Sequence, residues 1–157
     1  MQYRIVGNTM PAVEILFDQA GESMYTQSGG MVWQSDGIEM STSTNGGIMK
    51  GVGRMFAGEG FILQDLSGVG MAFLEIDGDK VIKDLQPGEV LKVDTGNVVA
   101  FERSVSYEIE TVKGLKNIFL GGEGLFLTRI VGPGRVILQT QNINEFAGRI
   151  ARMIPSK

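Results

Sequence analysis

A chain that repeats itself is constrained more by the repeat than by any single motif, because whatever one copy folds into must also suit the other. Gln19-Ala20-Gly21-Glu22, followed by Gly29, recurs 67 positions later as Gln86-Pro87-Gly88-Glu89, followed by Gly96. At that offset Met31-Val32 falls on Val98-Val99, Ile38 on Val105, Met40 on Tyr107 and Gly47 on Gly114. The offset then shortens to 64, where Gly58-Glu59-Gly60-Phe61-Ile62-Leu63 meets Gly122-Glu123-Gly124-Leu125-Phe126-Leu127. Gly68-Val69-Gly70 meets Gly132-Pro133-Gly134, and Ala72-Phe73-Leu74 meets Val136-Ile137-Leu138 at the same spacing. The two copies run from about 13 to 75 and from about 81 to 139, and a chain of 157 residues has room for them in one globular domain.

Within each copy the texture is β. Runs such as Ala12 to Phe17, Met31 to Trp33, Met71 to Ile76, Val98 to Phe101 and Arg135 to Gln141 are short, rich in branched or aromatic residues, and bounded by glycine. Many short strands at near-regular spacing predict an all-β fold, a sandwich or a double-stranded β-helix, built from duplicated units. Two stretches break the pattern. Ile48, Val52, Met55 and Phe56 recur at helical spacing, as do Leu115, Ile118 and Phe119 in the second copy. Near the C-terminus Ile143, Phe146, Ala147, Ile150 and Ile154 form an apolar stripe opposite Glu145 and Arg149, which predicts a short amphipathic helix over 144–153.

The residues that are missing narrow the chemistry. With no histidine and no cysteine, the chain has no catalytic triad of the serine-histidine type, no imidazole base, no thiolate nucleophile, no zinc knuckle and no disulfide. No catalytic residue, no metal ligand set and no cofactor is predicted. A net charge of −4 argues against DNA and against RNA as an overall electrostatic partner. No stretch approaches the roughly 18 apolar residues of a membrane span, and the first residues lack the apolar core of a signal peptide, so the expected location is cytoplasmic.

Ser28-Gly29-Gly30-Met31-Val32-Trp33, Gly58-Glu59-Gly60, Asp94-Thr95-Gly96-Asn97-Val98-Val99-Ala100-Phe101 and the ending from Gly122-Glu123-Gly124-Leu125 to Gln139-Thr140 carry a resemblance. Together they resemble the mitochondrial biogenesis (altered inheritance of mitochondria, Aim-type) family over about Gln2 to Thr140. That family's fold is similar to the trp RNA-binding attenuation protein (TRAP-like). The resemblance implies stacked β units and a tendency to form homo-oligomers. It supplies no catalytic residues. Typical relatives look like three such units, whereas this sequence shows two and a helix, and the attenuation protein's ligand and RNA motifs have no counterpart here.

Several residues are candidates for function, each with a plainer reading beside it. Lys50 and Arg54, in the glycine-rich run 46–54, could face an anion, yet no phosphate-loop pattern is present. The favoured reading of that run is an amphipathic turn whose Met49, Val52, Met55 and Phe56 close the core or meet a partner. Glu59 and Glu123 occupy equivalent places between glycines and could pair as carboxylates, or simply accept backbone N–H groups at a turn. Lys113, Lys116, Arg129 and Arg135 read as a solvated mixed-charge face. Trp33 reads as a core residue, and Met10, Met24, Met31, Met40 and Met71 as gap-fillers.

The sequence thus points to a non-catalytic, self-associating β scaffold or interaction protein. Its candidate interface residues are Met49, Val52, Met55, Phe56, Ile118, Phe119, Phe146 and Ile150. Protein partners other than itself fit the same surface. The alternatives are a small-ligand or anion-binding protein using Lys50, Arg54, Glu59 and Glu123 in a crevice between the repeats, and RNA binding by analogy with the attenuation protein.

Overall fold

The computed structural model describes residues 1–42, 62–111 and 126–154. It is nearly all β. The strands are β1 (Gln2–Val6), β2 (Ala12–Phe17), β3 (Ser23–Gln27), β4 (Met31–Gln34), β5 (Ile38–Thr42), β6 (Leu63–Gly68) and β7 (Gly70–Glu75). They continue with β8 (Lys80–Leu85), β9 (Val90–Asp94), β10 (Val98–Glu102), β11 (Ser106–Thr111), β12 (Phe126–Val131) and β13 (Gly134–Gln139). One helix, α1 (Ile143–Met153), follows them. The helical spacings seen at 48–56 and 115–119 lie outside the described residues.

The strands make three antiparallel sheets, ordered β1-β2-β7-β4, β5-β6-β3-β10-β13-β8 and β11-β12-β9. One core cluster draws Val13, Ile15 and Phe17 of β2 and Ala72 and Leu74 of β7 against Met24, Leu66, Val99, Ala100 and Ile137 of the six-stranded sheet. A second sets Leu63, Val98, Phe101, Val136 and Leu138 of that sheet against Ile130, Leu91 and Ile109 of the three-stranded one. The six-stranded sheet is therefore covered on both faces. That explains the unbroken apolar run Val98-Val99-Ala100-Phe101 in β10, all of it buried, whereas β2 alternates with Val13, Ile15 and Phe17 inward and Ala12, Glu14 and Leu16 outward.

The strand pairings recur along the chain. β2 with β7, β7 with β4, β3 with β6 and β6 with β5 have the counterparts β8 with β13, β13 with β10, β9 with β12 and β12 with β11. Registers recur too. Met31 opposite Leu74, Trp33 opposite Phe73 and Gln34 opposite Ala72 correspond to Val98 opposite Leu138, Ala100 opposite Ile137 and Phe101 opposite Val136, at the offsets of 67 and 64 read from the sequence. A bulge falls between Met31 and Trp33 and again between Val98 and Ala100. Even a strand-end contact returns: Ser35 Oγ accepts the Met71 N–H at 2.8 Å, and Glu102 Oε2 accepts the Arg135 N–H at 2.9 Å.

The repeated Gln-x-Gly-Glu motif is a turn device. Gly21 and Gly88 have φ of +90° and +77°, the sign a third turn position of this kind needs and glycine alone adopts without strain. The glutamate N–H donates back to the glutamine carbonyl at 3.3 Å in the first copy and 2.9 Å in the second. Its carboxylate in turn accepts the glutamine N–H, Gln19 to Glu22 at 3.3 Å and Gln86 to Glu89 at 2.8 Å.

A polar network ties β1 to the six-stranded sheet. The Tyr3 hydroxyl donates to Glu102 Oε1 at 3.0 Å, the Arg135 guanidinium lies 5.0 Å from the Tyr3 ring centre, and Arg135 holds Asp84 through Nε at 2.5 Å and an Nη at 2.8 Å. Burial, helped by the Glu102 carboxylate, pushes the Tyr3 phenol far above its usual range, and the Arg135 hydrogen bond holds the Asp84 carboxyl below its own.

Two expectations follow. Phe101→Ala should cost about 3–5 kcal/mol, because Phe101 is fully buried between two tyrosines, and a urea midpoint that stayed at the parent value would contradict the packing described. In an alkaline absorbance titration Tyr3 ionises above the ordinary tyrosine range, and Tyr3→Phe deletes that late step. Since the folded phenol titrates above the unfolded one, its contribution is complete below pH about 10 and fades as the pH rises beyond that.

Candidate functional site: an exposed strand edge and an apolar helix face

Among the described residues β4 ends the first sheet, and it ends it with large apolar side chains in water. Trp33 is 44% exposed and Val32 57% exposed. The Trp33 ring stacks on Phe73 of β7, with centroids 4.2 Å apart and planes 23° from parallel. Strand register places Arg4, Glu14, Phe73 and Trp33 in one row across the outer face, an Arg4–Glu14 ion pair at one end and the aromatic pair at the other. The core reading of Trp33 is thus corrected. A sheet edge keeps one side of its residues uncovered, and the bulge at Val32 turns that residue outward.

The methionine reading is corrected in the same way. Met24 is buried and Met31 partly so, but Met10, Met40 and Met71 are exposed. Being in or beside a strand says nothing of which face a side chain occupies.

The third sheet ends on β9, where Val90 is exposed and Leu91 and Val93 are half-buried. Lys92, the exposed residue between them, holds Glu110 at 2.5 Å. Arg129 reaches the same carboxylate at 4.0 Å.

Helix α1 is fixed at its start and bare along its length. Asn142 caps it by accepting the Glu145 N–H at 3.1 Å, while its amide donates to the Gly96 carbonyl at 2.9 Å. Gln139 Nε2 donates to the same carbonyl at 2.9 Å, and the Ile143 N–H donates to Asp77 at 2.7 Å. Beyond this anchor no residue of the helix is buried, and Ile143, Phe146, Ile150 and Met153 lie along one exposed face. Glu145 and Arg149 pair at 3.8 Å.

Of the residues singled out from sequence, Phe146 and Ile150 sit together on this face, 45% and 44% exposed. Lys50, Arg54, Glu59, Glu123, Met49, Val52, Met55, Phe56, Ile118 and Phe119, with Lys113 and Lys116, lie outside the described residues. Arg129 and Arg135 are each engaged by a carboxylate on its own sheet, Glu110 and Asp84. Val32 and Val90 were not among the candidates, and Trp33 was read as core. Their signal was the mismatch between the copies, where Trp33 stands at the place of Ala100 and Lys92 at the place of Tyr25.

Residues 3–59 and 53–141 match the family model described as mitochondrial biogenesis AIM24. The chain belongs to the AIM24 family. An uncharacterized protein of Streptococcus pyogenes serotype M6 is 26% identical over 144 residues, which is 91% of this chain and 56% of the relative. This AIM24-family chain thus spans about half the length of the curated relative it matches. A crystal structure of a Streptococcus pyogenes protein, determined by a structural genomics consortium, superposes with a TM-score of 0.50 at 22% identity, covering 98% of this chain and 99% of that one. The likeness concerns the fold alone. Among the described residues no helix of the AIM24-family chain is long and apolar enough to cross a membrane, and no three acidic residues gather as a metal site.

The single tryptophan makes the edge directly measurable. In dilute AIM24-family chain Trp33 should emit as a partly hydrated indole and be quenched by acrylamide, and Phe73→Ala should increase that quenching. A blue-shifted emission immune to acrylamide at every protein concentration would place Trp33 in the core.

Proposed function

We propose that the chain is a non-catalytic, self-associating β protein, a scaffold or interaction module rather than an enzyme. Helix α1 carries this reading. A free helix of eleven residues is marginal in water, because nucleation is costly and propensity alone barely repays it, so helices of this length persist by packing an apolar face. This one buries none of its residues and still presents Ile143, Phe146 and Ile150 on one side. Burying three such side chains at about 1.5–3 kcal/mol each is ample drive for docking on another protein surface. The absence of histidine and cysteine supports the same reading, since imidazole bases and thiolate nucleophiles are missing from the whole chain.

Light scattering coupled to size exclusion, over a wide concentration range, tests it. The parent chain should show a mass above one copy that grows with concentration, and a Phe146→Asp, Ile150→Asp double variant should shift the midpoint to higher concentration by at least tenfold, about 1.4 kcal/mol. A monomer at every concentration would remove the proposal.

A further inference from the structure

We propose that the self-association runs head to tail through strand edges, β9 of one copy pairing with β4 of the next in the register that β3 and β10 use within a single chain. The inference rests on the self-association reading and adds to the α1 face a second contact, whose partner is a second copy of this chain.

The argument begins with the recurring pairings. If strands β2 to β7 and β8 to β13 are two copies of one unit, β3 and β9 are the same strand, and so are β4 and β10. Inside the chain β3 of the first unit pairs with β10 of the second, Thr26 opposite Ala100, Tyr25 opposite Phe101 and Met24 opposite Glu102. Two units in tandem form one such junction, and each carries half of another. The halves are β9 and β4, and among the described residues both are sheet ends. They are complementary by construction, since each is the equivalent of a strand already paired with the equivalent of the other.

Burial follows the junction. In β10, Val98, Val99, Ala100 and Phe101 are all buried; at the equivalent positions of β4, Val32 and Trp33 are exposed. In β3, Ser23, Met24 and Thr26 are buried; in β9 the equivalent Val90 is exposed and Leu91 and Val93 are only half-buried. The same fold position is dry where its neighbour is present and wet where it is missing.

Carrying the register across sets Trp33 opposite Val93, Gln34 opposite Lys92 and Ser35 opposite Leu91 of the next copy. The apolar pair would cover the exposed indole. The polar pair is matched as well: Gln34 Nε2 donates to the Ile38 carbonyl at 2.8 Å, but Gln34 Oε1 is buried with no hydrogen-bond partner among the described residues, and Lys92 brings three donors. A lysine on an edge strand deters indiscriminate pairing, and an acceptor at one register position restores it for that register alone. The Thr26 hydroxyl, which donates to the Val99 carbonyl at 3.1 Å, has no equivalent, because Val93 stands in its place. The two edges are different strands, one from each half of the chain, so the contact is heterologous and propagates into a ring or a filament.

A chain without cysteine makes the test clean. Gln34→Cys and Lys92→Cys are made singly and together, and each is oxidised mildly while light scattering follows the unoxidised samples. The expected result is a cross-linked dimer as the main product of the mixed single variants, only background in either alone, and larger species or a closed ring from the double variant. Ser35→Cys with Leu91→Cys repeats the test should Gln34→Cys unfold, which circular dichroism reports. Oligomers that cross-link like to like, or not at all in the mixture, overturn the edge pairing and leave self-association standing. A disulfide within one copy of the double variant overturns it too. Monomers throughout overturn both.

Discussion

The antiparallel contact between β3 and β10 is what makes one body of this chain. It merges three strands from the first half with three from the second, and the resulting sheet lies between the other two with apolar residues on both faces. Both core clusters depend on it. Val99 and Ala100 of β10 pack with β2 and β7, while Phe101, one residue on, packs against Tyr25 and Tyr107 on the opposite side. Losing the pairing would strip water-free cover from both clusters at once, and the buried Thr26 hydroxyl would lose its acceptor.

The surrounding polar contacts locate this sheet rather than hold it together. Tyr3, Glu102, Arg135 and Asp84 stitch β1, β10, β13 and β8, and the Gln-x-Gly-Glu turns set where β3 and β9 begin. The Asp84 carboxylate is largely exposed, so its pair with Arg135 is worth little as energy and more as orientation. Surface apolar residues are left where the pattern stops, at β4, at β9 and along α1. A monomer carrying exposed apolar area at sheet ends invites pairing.

Much of this was legible in the sequence. The all-β character, the helix and its apolar face follow from periodicity, and the offsets of 67 and 64 relate strand pairings as well as residues. The helix starts one residue before the spacing predicted, because Asn142 caps it and Ile143 already lies inside. What periodicity does not carry is sheet membership. Met31-Val32-Trp33 and Val98-Val99-Ala100 look alike as sequence, yet one is an edge and the other lies inside a sheet covered on both faces, since that depends on which strand arrives from far along the chain. Periodicity alone therefore does not give the exposure of Trp33, and only its mismatch with Ala100 in the other copy points to it. The glycine-rich candidates Lys50, Arg54, Glu59 and Glu123 lie outside the described residues.

Backbone amide hydrogen exchange, followed from dilute to concentrated protein, reaches the central claim most directly. At low concentration the β3 and β10 amides should exchange only on global opening, while those of β4 and β9 that face away from β7 and β12 exchange fast. With rising concentration the β4 and β9 amides should become protected together, at the midpoint set by self-association. Protection of both edges that is already complete in dilute monomer, or edges that stay fast in the assembled protein, would contradict the account.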